Sequence, residues 1–445
     1  MKQSLFLSIS AIIGLSACSN KLDVRPDNLA SPSMINSTNL GTVVNGAKLG
    51  LTNNAFYGYY PLTEVMGDDV QTLGYAGYEA CNIPVAENSL QFAYRYPYQC
   101  VANANAAINY WLSHSGETAL RPIAGEAYLL RAYAYSLLNE QFGEVALMKG
   151  GEDPLTFPAR ESDDKVKAFI EADLRQAVDL LPDFTAPVTK ASKQAAQLLL
   201  ARHCLNSGKF KDAVDNAEAV INSGKFSLGD KVDSSMFLYN TSSKEMVYAI
   251  GETSSNNVKN YGLPAVFGAG GTAPWGGETL AGSGNTWINE SLVDSYEATD
   301  VRQKWYFKRK GLTFDLVVNY LNKFPMEATP SYPVCRIAEA YLIAAEGKAR
   351  QGTVDVAHFN TLREKRKASL RTNGDFANAQ AFLDMIENER RREFTGERLR
   401  WSDMRRFGKA LPWLSSLQQP AGHALFPLPE RLLMLNPTIK QNKDY

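Results

Sequence analysis

The chain has 445 residues, 45% of them hydrophobic and 21% charged, with 46 basic side chains against 47 acidic ones. This is ordinary globular composition with enough length for a large core, which excludes a disordered or fibrous chain. A formal charge of −1 and the lack of any basic stripe remove the electrostatic case for nucleic acid.

The first element is a targeting signal. Lys2 gives a positive start, and Leu5 to Leu15 is an apolar run too short to span a bilayer as a helix. It ends in Leu15-Ser16-Ala17-Cys18, which resembles a bacterial lipobox. Residues 1–17 are therefore expected to be a lipoprotein signal peptide, with Cys18 acylated at the mature N-terminus. The alternative is plain secretion with cleavage near Ala17. Several acyl chains anchor far better than one, since each buried methylene adds about 0.8 kcal/mol.

Residues 57–98, rich in tyrosine, read as irregular. From Pro122 to Phe142, apolar residues recur at helical spacing, with proline in the first turn and Gly143 as the stop. A second helix runs from Asp163 and Asp164, along the face Val166, Ile170, Leu174 and Leu181, to Pro182. Ala195–Asn206, a Ser207-Gly208-Lys209 turn and Phe210–Asn222 form a helix pair of tetratricopeptide length. A similar helix–glycine–helix pattern returns at Arg336–Lys367. Between them, residues 251–330 read as a second irregular segment, glycine-rich over 251–290. A strand is expected at Glu245–Ile250 and another near Phe314–Tyr320. The fold class expected is mainly α: tetratricopeptide-like helix pairs as a scaffold, an irregular loop-rich ligand-binding face, and a few short strands. Residues 18–445 are read as one domain.

Cys81, Cys100, Cys204 and Cys335 are widely spaced and make no CxxC or metal-ligand cluster. Cys81 and Cys100 are either a disulfide or two free thiols. The four histidines (His114, His203, His358 and His423) are scattered and read as packing or surface residues.

Several segments together resemble one family, the SusD/RagB-like nutrient-binding outer-membrane lipoproteins. After the lipobox come Leu22-Asp23-Val24-Arg25-Pro26, then Gly125-Glu126-Ala127 leading to Leu130-Arg131-Ala132, then Arg336-Ile337-Ala338-Glu339 leading to Tyr341-Leu342. The tail carries Glu389 to Phe394, Gly396-Glu397-Arg398 to Trp401, Phe426-Pro427-Leu428-Pro429, Asn436-Pro437 and Gln441 to Tyr445. Asp444 stands where the family usually has glycine. The resemblance implies a helical scaffold with a ligand-binding face and attachment to the outer membrane at the cell surface. It also implies a partner, a TonB-dependent transporter barrel of the SusC type.

Glu393 and Glu397 invite a catalytic reading as a carboxylate pair. A general acid needs a raised pKa, but Arg390, Arg391, Arg392, Arg398 and Arg400 lie close by and lower it. The cluster reads as a structural ion-pair network, and Asp300-Val301-Arg302 as a structural ion pair. There is no Gly-x-Ser-x-Gly elbow, HExxH or phosphate loop, so no enzyme activity and no cofactor are expected. The metal question stays open.

Aromatic side chains on loops are the better lead to function. Trp275 sits among glycines, and Tyr75 and Tyr78 in Leu73-Gly74-Tyr75-Ala76-Gly77-Tyr78. Flat rings on loops offer faces for sugar rings or peptide side chains, unless they merely pin the loops. Trp287 is a fourth candidate, although Ile288, Leu292 and Val293 follow it in a helical pattern that favours core packing. Trp111, Trp401 and Trp413 read as core. The function expected is capture of nutrient, with glycan preferred and peptide as runner-up. An envelope scaffold that binds no nutrient is the alternative from a different class.

Overall fold

Apolar residues at three- and four-residue spacing set the architecture, because each helix they produce has one face that must be covered by a neighbour. In the computed structural model the described residues are 34–56, 62–152, 158–229, 232, 234–238, 241–251, 262–274, 276, 280, 282–324 and 331–445. Cys18 and Trp275 lie outside them. The elements in chain order are α1 (Leu40–Phe56), α2 (Leu62–Val65), β1 (Val70–Thr72), α3 (Ala76–Glu79), α4 (Asn88–Ser113), α5 (Arg121–Phe142), α6 (Asp163–Leu180), α7 (Lys193–Asn206) and α8 (Phe210–Asn222). They continue with β2 (Met246–Gly251), α9 (Gly262–Phe267), β3 (Thr286–Ile288), α10 (Glu290–Val293), β4 (Tyr306–Lys310), β5 (Val317–Leu321) and β6 (Ser331–Arg336). Helices α11 (Ile337–Arg350), α12 (Ala357–Lys365), α13 (Ala379–Glu393), α14 (Arg400–Arg406), α15 (Ala410–Ser416) and α16 (Glu430–Leu435) complete the chain.

The long helices pack in a relay: α1 on α4, α4 on α5, α5 on α6, α6 on α7, α7 on α8, α8 on α11 and α11 on α13. Small residues allow the close steps. A Cβ on Gly347 of α11 would lie 2.6 Å from Val214 Cγ2 on α8, so only glycine admits that approach. The two mid-chain helix pairs match their expected spans, and Gly208 makes the turn of the first at φ 74°. One apolar core runs from Leu40 to Leu428 and includes Trp111 and Trp401, with Trp413 packed against it.

Two expectations are corrected, and one open alternative is decided. The irregular stretch 57–98 ends early, because Asn88–Ser113 is a helix with Pro97 buried inside it. Proline removes one backbone donor, but contacts with α1 and α5 hold the helix across that gap. Trp287 is in a strand rather than a helix. Cys81 and Cys100 are buried free thiols, their Sγ atoms facing the carbonyls of Met66 and Leu130.

Two sheets are present among the described residues. The expected strand near 245–250 is β2, paired antiparallel with β6 inside the core. The other sheet has the order β1-β3-β5-β4 and is antiparallel throughout. Its strand β5 is the one expected near 314–320. No helix of the described residues is long and apolar enough to cross a membrane.

Candidate ligand-binding face

The four-stranded sheet joins the two segments read as irregular, residues 57–98 and 251–330. In β1 and β3, Gln71 pairs with Trp287, and the backbone N–H of Leu73 donates to Asn285 just beyond. Alternation along the strands then sorts side chains to two faces. On one face Trp287, Phe307 and Val318 pack around a small apolar cluster of Ala269, Ala273, Leu280 and Tyr320. Three of those four come from or follow the glycine-rich segment, so that segment covers the sheet.

Glycine is required there for a steric reason. At Gly270 (φ 61°) an added Cβ would lie 2.5 Å from the carbonyl oxygen of Gly282, where two stretches of the loop cross. The crossing is tied by Leu280 N–H to Gly271 O (2.8 Å) and Gly284 N–H to Gly268 O (3.1 Å). Tyr320 donates from below to Gly284 O at 2.9 Å, and Arg309 donates to Gly270 O.

The predicted aromatic residues divide. Trp287 is half-buried, its indole Nε1 donates to Gln71 Oε1 at 2.7 Å, and its ring lies 4.9 Å from that of Phe314. Tyr75 is half-buried at the start of α3, edge-on to Tyr78 at 6.3 Å. Tyr78 is 2% exposed, packed on Phe426 at 5.2 Å and hydrogen-bonded to Ser89 at 3.0 Å. A ring so enclosed has no face for a ligand, and Tyr78 instead fixes the Tyr75 segment to the scaffold. Sequence reasoning missed the tip of the β4–β5 hairpin, where Leu312, Leu316 and Val317 are exposed beside Phe314. The alternation Leu312-Thr313-Phe314-Asp315-Leu316 just after Gly311 was the available signal. These residues give the hairpin tip an apolar surface.

The charged tail cluster is structural. Glu393 is fully buried and receives Arg366 at 2.8 and 2.9 Å, Arg336 at 3.0 Å and Arg302 at 3.0 Å. Glu245 takes Arg366 at 2.9 and 3.0 Å, Glu389 takes Arg302 at 2.6 Å, and Glu397 takes Arg336 at 2.7 Å through both oxygens. Burial by itself would raise the Glu393 carboxyl, but the Arg366 and Arg336 guanidiniums overcome it and hold it well below the carboxylate range. Such a group cannot give up a proton as a general acid near neutral pH. Asp300 and Arg302 pair at 2.7 Å within the same network. Of the five arginines that the sequence places nearby, Arg392 reaches Glu389 at 3.5 Å, whereas the principal partners, Arg302, Arg336 and Arg366, come from distant segments.

One group of possible metal ligands occurs among the described residues: Glu171, Cys204 and Asp212. Arg175 and Lys209 already neutralise it, at 2.6 to 2.9 Å, and burial pushes the Cys204 thiol up to about 12. These donors do not suit a cation.

Comparison with known proteins agrees with this architecture. The chain matches a family described as starch-binding and associating with the outer membrane over residues 22–205, and the SusD family over residues 281–445. It belongs to the SusD/RagB family. A SusD-like protein, P2, from Formosa agariphila is 25% identical, covering 91% of each chain. Among solved structures, a laminarin-binding SusD-like protein superposes with a TM-score of 0.79 at 21% identity, covering 92% of this chain and 100% of its own. Surface glycan-binding protein A from Bacteroides fluxus gives 0.78 at 21% identity, with the same coverage of each chain. The fold is the mainly α SusD-like one.

Proposed function

We propose that this chain is a surface lipoprotein, held at the outer membrane by acylated Cys18, that captures oligosaccharide and delivers it to a TonB-dependent transporter of the SusC type. The observation that carries the binding reading is the half-buried Trp287, fixed by Gln71 and flanked by Phe314 of the β4–β5 hairpin. A ring held in place by a hydrogen bond loses little freedom when a sugar stacks on it. Tyr75, on the segment tied to the same sheet, extends the surface, and Trp275 is proposed as a further contact from the glycine-rich sequence around it. The glycan-binding relatives of similar fold support the ligand class, and the family supports the transporter partner. A peptide ligand is the second reading, favoured by the exposed aliphatic side chains of Leu73, Leu312 and Leu316.

A glycan and peptide array, probed with the chain starting at Ser19, tests the reading. Binding to one glycan class, with laminarin as the first probe, is the expected result. Binding to peptides alone would favour the second reading, and binding to neither would overturn both. Co-purification of a large barrel protein from detergent-solubilised outer membrane is the expected sign of the transporter.

A further inference from the structure

Along the two strands that Gln71 and Trp287 join, burial alternates with the pleat. Val70, Thr72, Thr286 and Ile288 are buried, and the hydroxyls of Thr72 and Thr286 meet on that closed face at 3.0 Å. Gln71, Leu73, Asn285 and Trp287 take the alternate positions and are half-buried or exposed. The hairpin tip agrees with this sorting, since Thr313 reaches Asn285 at 3.3 Å while its neighbour Phe314 lies against Trp287. Two carboxamides therefore flank one indole on the open face.

The orientation of the Gln71 amide follows from chemistry. An indole nitrogen only donates, so the Gln71 atom 2.7 Å from it is the carbonyl oxygen and the NH2 group faces away. That Nε2 donates to no described residue and is not closed off by burial. Asn285 repeats the pattern: Thr313 donates to its Oδ1, and its Nδ2 is likewise open, with no partner among the described residues. Gln71 stands opposite Trp287, and Asn285 lies two positions before Trp287 on the same strand. Such diagonal neighbours lie about 7–8 Å apart, which leaves room for one sugar ring between the two amides.

The N–H of an indole lies in the plane of the ring, so the amide that accepts from it stands at the ring's edge. A pyranose laid on the indole meets that amide through groups that project from its own rim, which are its equatorial hydroxyls. An axial hydroxyl stands across the sugar plane and misses the donor.

We propose that Gln71 and Asn285 set the specificity of the sheet face, each donating an amide N–H to an equatorial hydroxyl oxygen of a pyranose stacked on Trp287. The pair thereby selects between epimers. This rests on the glycan reading of that face and adds the residues that tell one sugar from another.

Gln71→Glu separates this role from the fixing of Trp287. The carboxylate still accepts from the indole N–H, so the ring stays in place, while the outward atom changes from donor to acceptor. Asn285→Asp makes the same exchange at the second amide. Both variants are measured beside wild type by calorimetry with laminarin oligosaccharides, and on an array of glucose, mannose and galactose oligomers, whose rings are epimers. Each variant should bind the best wild-type glycan about tenfold more weakly and lose most of the discrimination between that glycan and its epimers. Thermal melts should not move. Wild-type affinity and wild-type discrimination in both variants overturn the proposal, and the glycan reading survives them if Trp287→Ala still weakens binding. A loss in one variant alone overturns the role of the other residue. Failure of the wild-type chain to bind any glycan removes the reading and the proposal together. Should a variant fail to fold, wild type titrated with singly deoxygenated forms of the best-bound sugar decides it. Loss of about tenfold at two ring positions supports the proposal, and no loss at any position overturns it.

Discussion

Gln71 and Trp287 stand opposite each other in an antiparallel pair, and the indole N–H closes on the Gln71 amide oxygen at 2.7 Å. The two residues are 216 positions apart, so this contact adds a side-chain tie to the strand ladder that joins the two segments of the proposed binding face.

The contact makes Trp287 testable apart from the fold. Trp287→Ala should weaken binding of the cognate glycan by about 2 kcal/mol, roughly thirtyfold. The half-buried position limits the cost to stability, so a thermal melt run beside calorimetry should move little. Wild-type affinity in the variant would remove Trp287 from the site. Gln71→Ala frees the ring and should give a smaller loss in the same direction.

Glu393 is expected to act on stability alone. Glu393→Gln leaves Arg366, Arg336 and Arg302 short of a counter-charge in a fully buried position. Breaking a buried network in this way costs about 3–5 kcal/mol, readable as a fall in the urea midpoint. An unchanged midpoint would show that the network is dispensable.

Glu64 gives a pH signature. It is buried, its Oε1 accepts from the Gly396 N–H at 2.7 Å, and burial pushes its pKa from 4.5 up to about 7 against that hydrogen bond. Between those values the folded state holds a proton that the unfolded state has lost. The group's contribution is therefore fully present below about pH 4.5 and disappears as pH rises through about 7. The full shift is worth at most about 3 kcal/mol. Glu64→Gln should gain stability relative to wild type between about pH 5 and pH 8. His203 titrates in the opposite sense over part of that window, and the difference between the two proteins cancels it. A difference independent of pH would refute the assignment.

Cys18→Ala should move the protein from the membrane fraction to the soluble one, as read by fractionation and intact mass. A variant that stays with the membrane would remove the lipid anchor from the proposal.

The helix pairs were legible because their signals are local. Apolar spacing, a first-turn proline and a closing glycine all fall within one or two helices, as at Pro122 to Gly143. The strands were less so. β1 and β3 have three residues each, too few for alternation to register, and Trp287 borrowed a helical pattern from α10 just after it. Pro97 hid the first half of α4 because tertiary packing outweighed a local rule. Of the site, the sequence displayed the aromatic residues and the glycines but not the register that joins them. It could not separate Tyr75, half-buried, from Tyr78, enclosed, since three residues on a short helix reach different environments.

The ion-pair network bears on how the chain folds. Its carboxylates come from positions 245, 300, 389, 393 and 397, and its guanidiniums from 302, 336, 363 and 366. Apart from Asp300 and Arg302, these pairs join residues 26 or more positions apart. A partly folded form that buries one set without the other would confine uncompensated charge, at a cost of several kcal/mol per ion. Half-assembled states are thereby disfavoured in proportion to how much of the network they lack. The central and C-terminal regions should accordingly unfold together in a single transition, and a chain interrupted before Glu389 should stay open to proteolysis instead of settling into a stable fragment.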